Sequence, residues 1–267
     1  MKTYIINLER SAVRRKHILQ EVERCGLDHE FVTAVDGKTL SASDIEQMCD
    51  VDAIKAYPDW LTPGMLGCAL SHYNVYRKIL QDDVEIAFVL EDDMKLPDNL
   101  PLLLEEISKN ILKNEVITLY YFSFQPCKLS DQDVTKLTNN YRLHFPMDVA
   151  QPITTGGYVI TKSAAKTLAD IILPVRVAPD SWGYFYDNKG FESFRCVFPV
   201  PLKFSGAKSD IHSQSWRGTI SRFIDEYRIP ILFQIIRAMR NRNVAGRSEI
   251  EFVNEPSPVA QIVRGRK

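Results

Sequence analysis

Apolar residues recur along this chain in two registers. Short continuous runs without polar alternation, "TYIINL" at 3–8 and "EIAFVL" at 85–90, have the pattern of strands buried on both faces. Longer stretches repeat at helical spacing. Ile18, Val22 and Cys25 follow the candidate N-cap Ser11 and stop at Gly26, and Leu66, Leu70, Tyr73 and Leu80 line one side of "GMLGCALSHYNVYRKIL", on which Arg77 must snorkel. Further strands are expected at 31–37, 116–123, 156–161 and 193–200, with the helix "SAAKTLADII" directly after the third of these. Residues 38–63 are polar, proline-bearing and read as irregular. Strands alternating with helices predict an α/β fold, a mostly parallel sheet with helices on both faces.

The end of the chain has another character. Residues 220–242 carry Phe223, Ile224, Tyr227, Leu232, Phe233, Ile236 and Met239 among arginines, and Pro230 is expected to divide them into two helices. From Arg217 onward there are 10 Lys/Arg against 5 Asp/Glu, a surplus of five positive charges that leaves residues 1–216 at minus six. The chain is therefore read as a body, 1–216, and a basic amphipathic helical segment, 217–267. Such a segment either packs on the body or lies on an anionic membrane surface.

Composition narrows the class. With 267 residues, 45% hydrophobic and 25% charged, the chain is an ordinary globular protein, and a net charge of −1 argues against general nucleic-acid binding. The five cysteines are scattered, with no CxxC or Cys/His pattern, so neither a zinc framework nor a disulfide scaffold is expected. The N-terminus has no signal-type apolar region and nowhere do 18 apolar residues run together, so the expectation is a cytoplasmic protein, with peripheral attachment at the inner face of the inner membrane as a further expectation.

Chemistry concentrates where the central strand ends. "FVLEDDMKLP" sets Glu91, Asp92 and Asp93 side by side at the carboxyl end of a buried strand, where open α/β sheets bind ligands. Two such charges about 4 Å apart repel by roughly 4 kcal/mol at an effective dielectric near 20, so the triplet is either a solvated turn or a site for a positive ion. Hard carboxylate oxygens suit Mg²⁺ or Mn²⁺ shared with substrate phosphates. "INLERSAVRR" places Asn7, Arg10, Arg14 and Arg15 at the end of the first strand and on the first helical turn, where positive charge opposes the helix dipole unless an anion compensates it; exposed surface arginines are the plainer alternative.

"INLERSAVRR", "AVDG", "GCALSH", "FVLEDDMKLP", "TTGGYVITKSAA" and "APDSWGYF", in this order up to about residue 215, resemble glycosyltransferase family 25, the bacterial lipooligosaccharide glycosyltransferases. Singly these motifs are weak, and their order is what is specific. The resemblance implies a Rossmann-like GT-A fold, a UDP-sugar donor, commonly UDP-galactose, and a lipooligosaccharide outer-core acceptor. Glu91-Asp92-Asp93 then stands in the place of the DXD motif, although its first residue departs from the literal pattern. Asp93 would bind Mn²⁺ or Mg²⁺, with Glu91 and Asp92 touching ribose or metal.

If transfer inverts the anomeric carbon, a base must stand apart from the metal. Asp180, in a proline-bearing loop beside Trp182, Tyr184 and Phe185, aromatics that offer a flat apolar surface for a sugar ring to stack on, is the candidate, with Asp187 as substitute; an ordinary Asx-turn is the plain alternative. His212, with Asp210 near it, is the candidate late metal ligand, and Lys208 or nearby serines could meet phosphate. His72 can be a packing residue or a substrate contact. Gly156 and Gly157 either let a sugar approach the backbone or serve a tight turn. Two rival readings remain: a metal-dependent nucleotidyltransferase or phosphohydrolase, and a noncatalytic subunit of an envelope-assembly complex.

Overall fold

Strands without alternation have to lie inside a sheet covered on both sides, and both runs do. In the computed structural model, which describes residues 1–206 and 249–265, β1 (Lys2–Asn7) and β3 (Ile86–Glu91) are adjacent parallel strands. Tyr4, Ile5, Phe88, Val89 and Leu90 are fully buried. Successive side chains point to opposite faces, so Tyr4, Ala87 and Val89 enter one core cluster while Ile5, Phe88 and Leu90 enter the other. Each such side chain taken out of water is worth about 1.5–3 kcal/mol, which makes both faces strongly specified.

An eight-stranded sheet is built around this pair, in the order β2-β1-β3-β9-β5-β10-β8-β7. Here β2 is His29–Thr33, β5 Glu115–Thr118, β7 Thr135–Lys136, β8 Arg142–His144, β9 Gly157–Thr161 and β10 Ser193–Phe198. Only β9 and β8 run against the other six, so the sheet is mostly parallel, as expected. On one face lie α4 (Pro63–Gln81), α6 (Lys162–Ile171) and α7 (Trp182–Asp187), and on the other α1 (Ala12–Arg24) and α5 (Leu100–Asn110). Two strands, β4 (Met94–Lys95) and β11 (Lys203–Phe204), pair antiparallel just beyond β3.

Residues 38–63 are more regular than their polarity suggests. After the 3₁₀ turn Gly37–Thr39 come α2 (Ala42–Met48) and α3 (Val51–Ala56), neither with a fully buried residue. Their apolar residues Ile45, Met48, Ala53 and Ile54 pack only partly buried against the cluster around Leu66 and Leu70, and their ends are set by caps. Ser41 Oγ accepts from Asp44 N while the Asp44 carboxylate accepts from Ser41 N, and the Asp50 side chain accepts from Ala53 N. Helix α5, which the reading above leaves unassigned, buries Leu100, Leu103, Leu104 and Ile107. The strand expected at 116–123 ends at Thr118, whose hydroxyl donates to Tyr120 O in the following loop.

After the undescribed stretch, β12 (Ile250–Val253) pairs in parallel with β6 (Cys127–Ser130), and α8 (Pro258–Gly265) buries Val259 and Ala260 in the core on the α4 face. Among the described residues no helix is long and apolar enough to cross a membrane.

Two glycines set the distance between α4 and the loop after β2. A Cβ on Gly67 would lie 2.5 Å from Gly37 N and Val35 O, and one on Gly37 would lie 1.6 Å from Pro63 O. Backbone meets backbone here, and any side chain at either position would push α4 off the carboxyl ends of β1 and β3.

Candidate active site

The carboxyl ends of β1 and β3 lie side by side, with Ile6 paired to Glu91, so residues just past each strand converge. Asn7, buried at the end of β1, donates from Nδ2 to Asp92 Oδ2 at 2.6 Å. Arg14, on the first turn of α1, donates to Asp93 Oδ2 at 2.7 Å and also pairs with Asp92. Arg10 pairs with Asp36, and Arg15 lies over the Phe31 ring, 3.7 Å from its centroid. From the other side α4 presents Cys68 and His72, while Thr155, just before β9, donates to Glu91 Oε1 at 2.6 Å.

A cavity of about 170 Å³ lies between these elements, lined among others by Arg10, Arg14, Lys38, Cys68, His72 and the three carboxylates. Asp92 and Asp93 are 5% and 9% exposed, so they are not a solvated turn. Burial and the neighbouring charges of Glu91 and Asp92 push the Asp93 carboxyl up to about 7, against the pull of Arg14. Asp92 is raised for the same first reason, with Arg14 and Asn7 opposing. Burial also works to raise Glu91, but hydrogen bonding and charge from His72, with Thr155 and Arg14 behind it, hold that group below its ordinary value. The triplet thus contains unlike members.

Asp93 Oδ1 is buried and accepts no hydrogen bond from the described residues. An orphaned carboxylate oxygen costs roughly 1–3 kcal/mol or more, and here it stands among further acidic oxygens. Such a donor set fits a hard divalent cation. On the same rim Ser205 N donates to Asp93 O at 2.8 Å, so the chain passes beside the carboxylates just before its undescribed stretch. His212, Asp210 and Lys208 lie outside the described residues.

Asp180 is partly buried beyond the cavity, close enough to Glu91 and Cys68 for their charges to interact. Burial raises its carboxyl, and the Glu91 charge adds to this, while backbone hydrogen bonds from Asp180 itself and Thr154 oppose. Thr154 has φ of +101°, a conformation costing on the order of 1–3 kcal/mol for a non-glycine residue. It is clamped from several sides: Oγ1 donates to Tyr120 O and its carbonyl accepts from Trp182 Nε1. Asp187 is exposed at the end of α7.

The aromatic surface expected beside Asp180 is largely absent. Trp182 and Phe185 are each 1% exposed, and Trp182 packs on Tyr158 and Phe194 with centroids 5.4 and 5.5 Å away. Their apolar area goes into the core, and only Tyr184 stays half-buried. Side chains fill the space over Gly156 and Gly157. A Cβ on Gly156 would meet Tyr120 at 2.8 Å and one on Gly157 would meet Leu202 at 2.2 Å.

His72, open above between packing and contact, is wholly buried with Nδ1 2.8 Å from Tyr158 Oη. Cys68 and Thr155 were missed. The i, i+4 spacing of Cys68 and His72 on one helix could have signalled their common face, whereas nothing local announces Thr155.

Comparison with known proteins bears on this arrangement. The sequence model of the family described as Glycosyltransferase family 25 (LPS biosynthesis protein) matches residues 1–182. Procollagen galactosyltransferase 1 of Danio rerio is 27% identical over 209 residues, covering 74% of this chain and 33% of that protein. A protein of Rattus norvegicus named probable inactive glycosyltransferase 25 family member 3 is 30% identical over 120 residues, covering 43% of this chain and 21% of its own length. The chain thus spans a third or less of these two relatives. Among solved structures, a putative glucose-1-phosphate thymidylyltransferase from Bacillus anthracis superposes with a TM-score of 0.41 at 12% identity, covering 78% of this chain and 90% of that one.

The raised Asp93 carboxyl makes stability pH-dependent in a definite direction. Its folded value, about 7, lies above that of the unfolded chain, so between about 4 and 7 the folded state holds the extra proton and stability falls as pH rises through that window. In metal-free buffer, wild type should lose on the order of 2–4 kcal/mol between pH 4.5 and pH 8 relative to Asp93→Asn, measured by urea unfolding. Parallel pH profiles for the two proteins would contradict this.

Proposed function

The chain belongs to glycosyltransferase family 25, and from that premise we propose that it transfers a hexose, galactose or glucose, from a UDP-sugar to a lipooligosaccharide outer-core acceptor with inversion at the anomeric carbon. The observation that carries this reading is the buried, unpartnered Asp93 Oδ1 beside Arg14 in a cavity at the carboxyl ends of β1 and β3. Galactose comes first because a relative is named a galactosyltransferase. The acceptor follows the family's description rather than that relative, which is named for procollagen.

Asp93 and Asp92 would hold Mn²⁺ or Mg²⁺, with His212 proposed from sequence as a further ligand. When bound, such a cation neutralises the diphosphate of the departing UDP. The chain's own residues do the remainder. Arg10 and Lys38 place positive charge on the cavity rim for phosphate oxygens, and Asn7 and Arg14 fix the carboxylates against their mutual repulsion. Asp180 takes the proton from the attacking acceptor hydroxyl, a role favoured by its raised basicity. Glu91, anchored by Thr155, keeps its charge and adds to the field that a cation would answer.

Incubation of the purified chain with UDP-hexoses, Mn²⁺ and truncated lipooligosaccharide should release UDP and lengthen the glycan. Asp93→Asn should lower the rate by on the order of 10²-fold or more, the equivalent of several kcal/mol of lost charge stabilisation. Release of pyrophosphate or inorganic phosphate instead of UDP would overturn the assignment.

We further propose that the arginine-rich stretch 217–242 holds the protein on anionic lipid at the inner face of the inner membrane, where such an acceptor is built. Because β12 and α8 belong to the folded body, substitution is a cleaner test than truncation. Changing Arg222, Arg228, Arg237 and Arg240 to Gln should release the protein from phosphatidylserine vesicles in flotation, and undiminished binding would defeat the proposal.

A further inference from the structure

Beside the carboxylates of Asp92 and Asp93 lies a cluster of different chemistry. Cys68 Sγ, His72 Nε2 and a Glu91 carboxylate oxygen stand within 4.8 Å of one another, drawn from α4 and the end of β3. One ring nitrogen of the histidine is engaged elsewhere. Nδ1 lies 2.8 Å from Tyr158 Oη, whose hydroxyl donates to Tyr76 Oη at 3.3 Å. Nε2 is the nitrogen turned to Glu91. That nitrogen is buried, has no hydrogen-bond partner among the described residues, and faces Glu91 Oε1 at 3.5 Å. A proton on Nε2 answers that carboxylate, and a metal ion in the proton's place would answer it as well.

A proton on Nε2 serves only His72 and Glu91, while the Cys68 thiol turns to Thr155. A metal ion uses all three groups. We propose that Cys68, His72 and Glu91 form a binding site for a borderline-soft divalent cation of the Zn²⁺ class, separate from the hard oxygen site at Asp92 and Asp93. Ligands on one tetrahedral zinc, with bonds of about 2.0–2.3 Å, stand roughly 3.3–3.8 Å apart. The nitrogen and oxygen, 3.5 Å apart, already have that spacing, and the sulfur lies within 4.8 Å of both. Binding converts the Cys68 thiol to a thiolate and releases its proton to solvent, so charge and atoms balance. Three protein ligands leave a fourth position, and all three residues line the cavity, so that position opens on the space where a substrate would lie.

This site stands independently of the transferase reading. Co²⁺, a spectroscopic stand-in for Zn²⁺, should be titrated into the chelator-treated full chain while its near-ultraviolet sulfur-to-cobalt charge-transfer band is followed. Wild type should develop the band with one equivalent bound, and Asp93→Asn should develop it too. Cys68→Ser should lose it with circular dichroism unchanged, and His72→Gln should weaken cobalt binding at least tenfold. A folded wild type without the band, or a band that survives Cys68→Ser, would overturn the site. UDP release without the band would leave the transferase standing and remove only this cation, and the band without UDP release would do the reverse.

Discussion

Three carboxylates held at the end of one buried strand are the constraint around which the rest of the molecule is arranged. Two such charges about 4 Å apart repel by on the order of 4 kcal/mol at an effective dielectric near 20, and Asp92 and Asp93 are buried from screening water. The protein answers in part. Arg14 bridges Asp92 and Asp93, Asn7 donates to Asp92, and Thr155 and His72 attend to Glu91. What these contacts leave over appears as an Asp93 carboxyl that holds its proton up to about pH 7 and an oxygen with no donor. A cluster so arranged spends stability on a state ready for a cation.

The fold serves that cluster by fixing its walls from distant parts of the chain. β1 and β3 end together because their registers align Ile6 with Glu91. α4 comes near because Gly37 and Gly67 let two backbones touch, which brings Cys68 and His72 to the same cavity. β9, reversed between β3 and β5, delivers Thr155 from its leading loop, and Glu91 N closes the join by donating to Gly156 O at 3.0 Å. Thr154 at φ +101° stores strain beside Asp180 on the same edge.

Much of this was legible in the chain because the signals were local. Continuous apolar runs located β1 and β3, and the carboxylates after Leu90 located the cavity they line. Asn7, Arg10 and Arg14 could be placed there because strand end and first helical turn lie adjacent in sequence. What escaped was written in long-range contacts. Helices α2 and α3 are seven and six residues long, too short for a helical period to show. Trp182 reads as a sugar platform until Tyr158 and Phe194 are found packed on it. Cys68 and His72 acquire meaning only when Glu91, some twenty residues on, closes against them.

The central claim is that a divalent cation joins the Asp92–Asp93 edge to the diphosphate of a nucleotide, and calorimetric titration of UDP into the metal-free chain tests it most directly. UDP should bind at least tenfold more tightly with saturating Mn²⁺ than with chelator, a gain of about 1.4 kcal/mol or more. Equal affinity with and without Mn²⁺ would contradict the account.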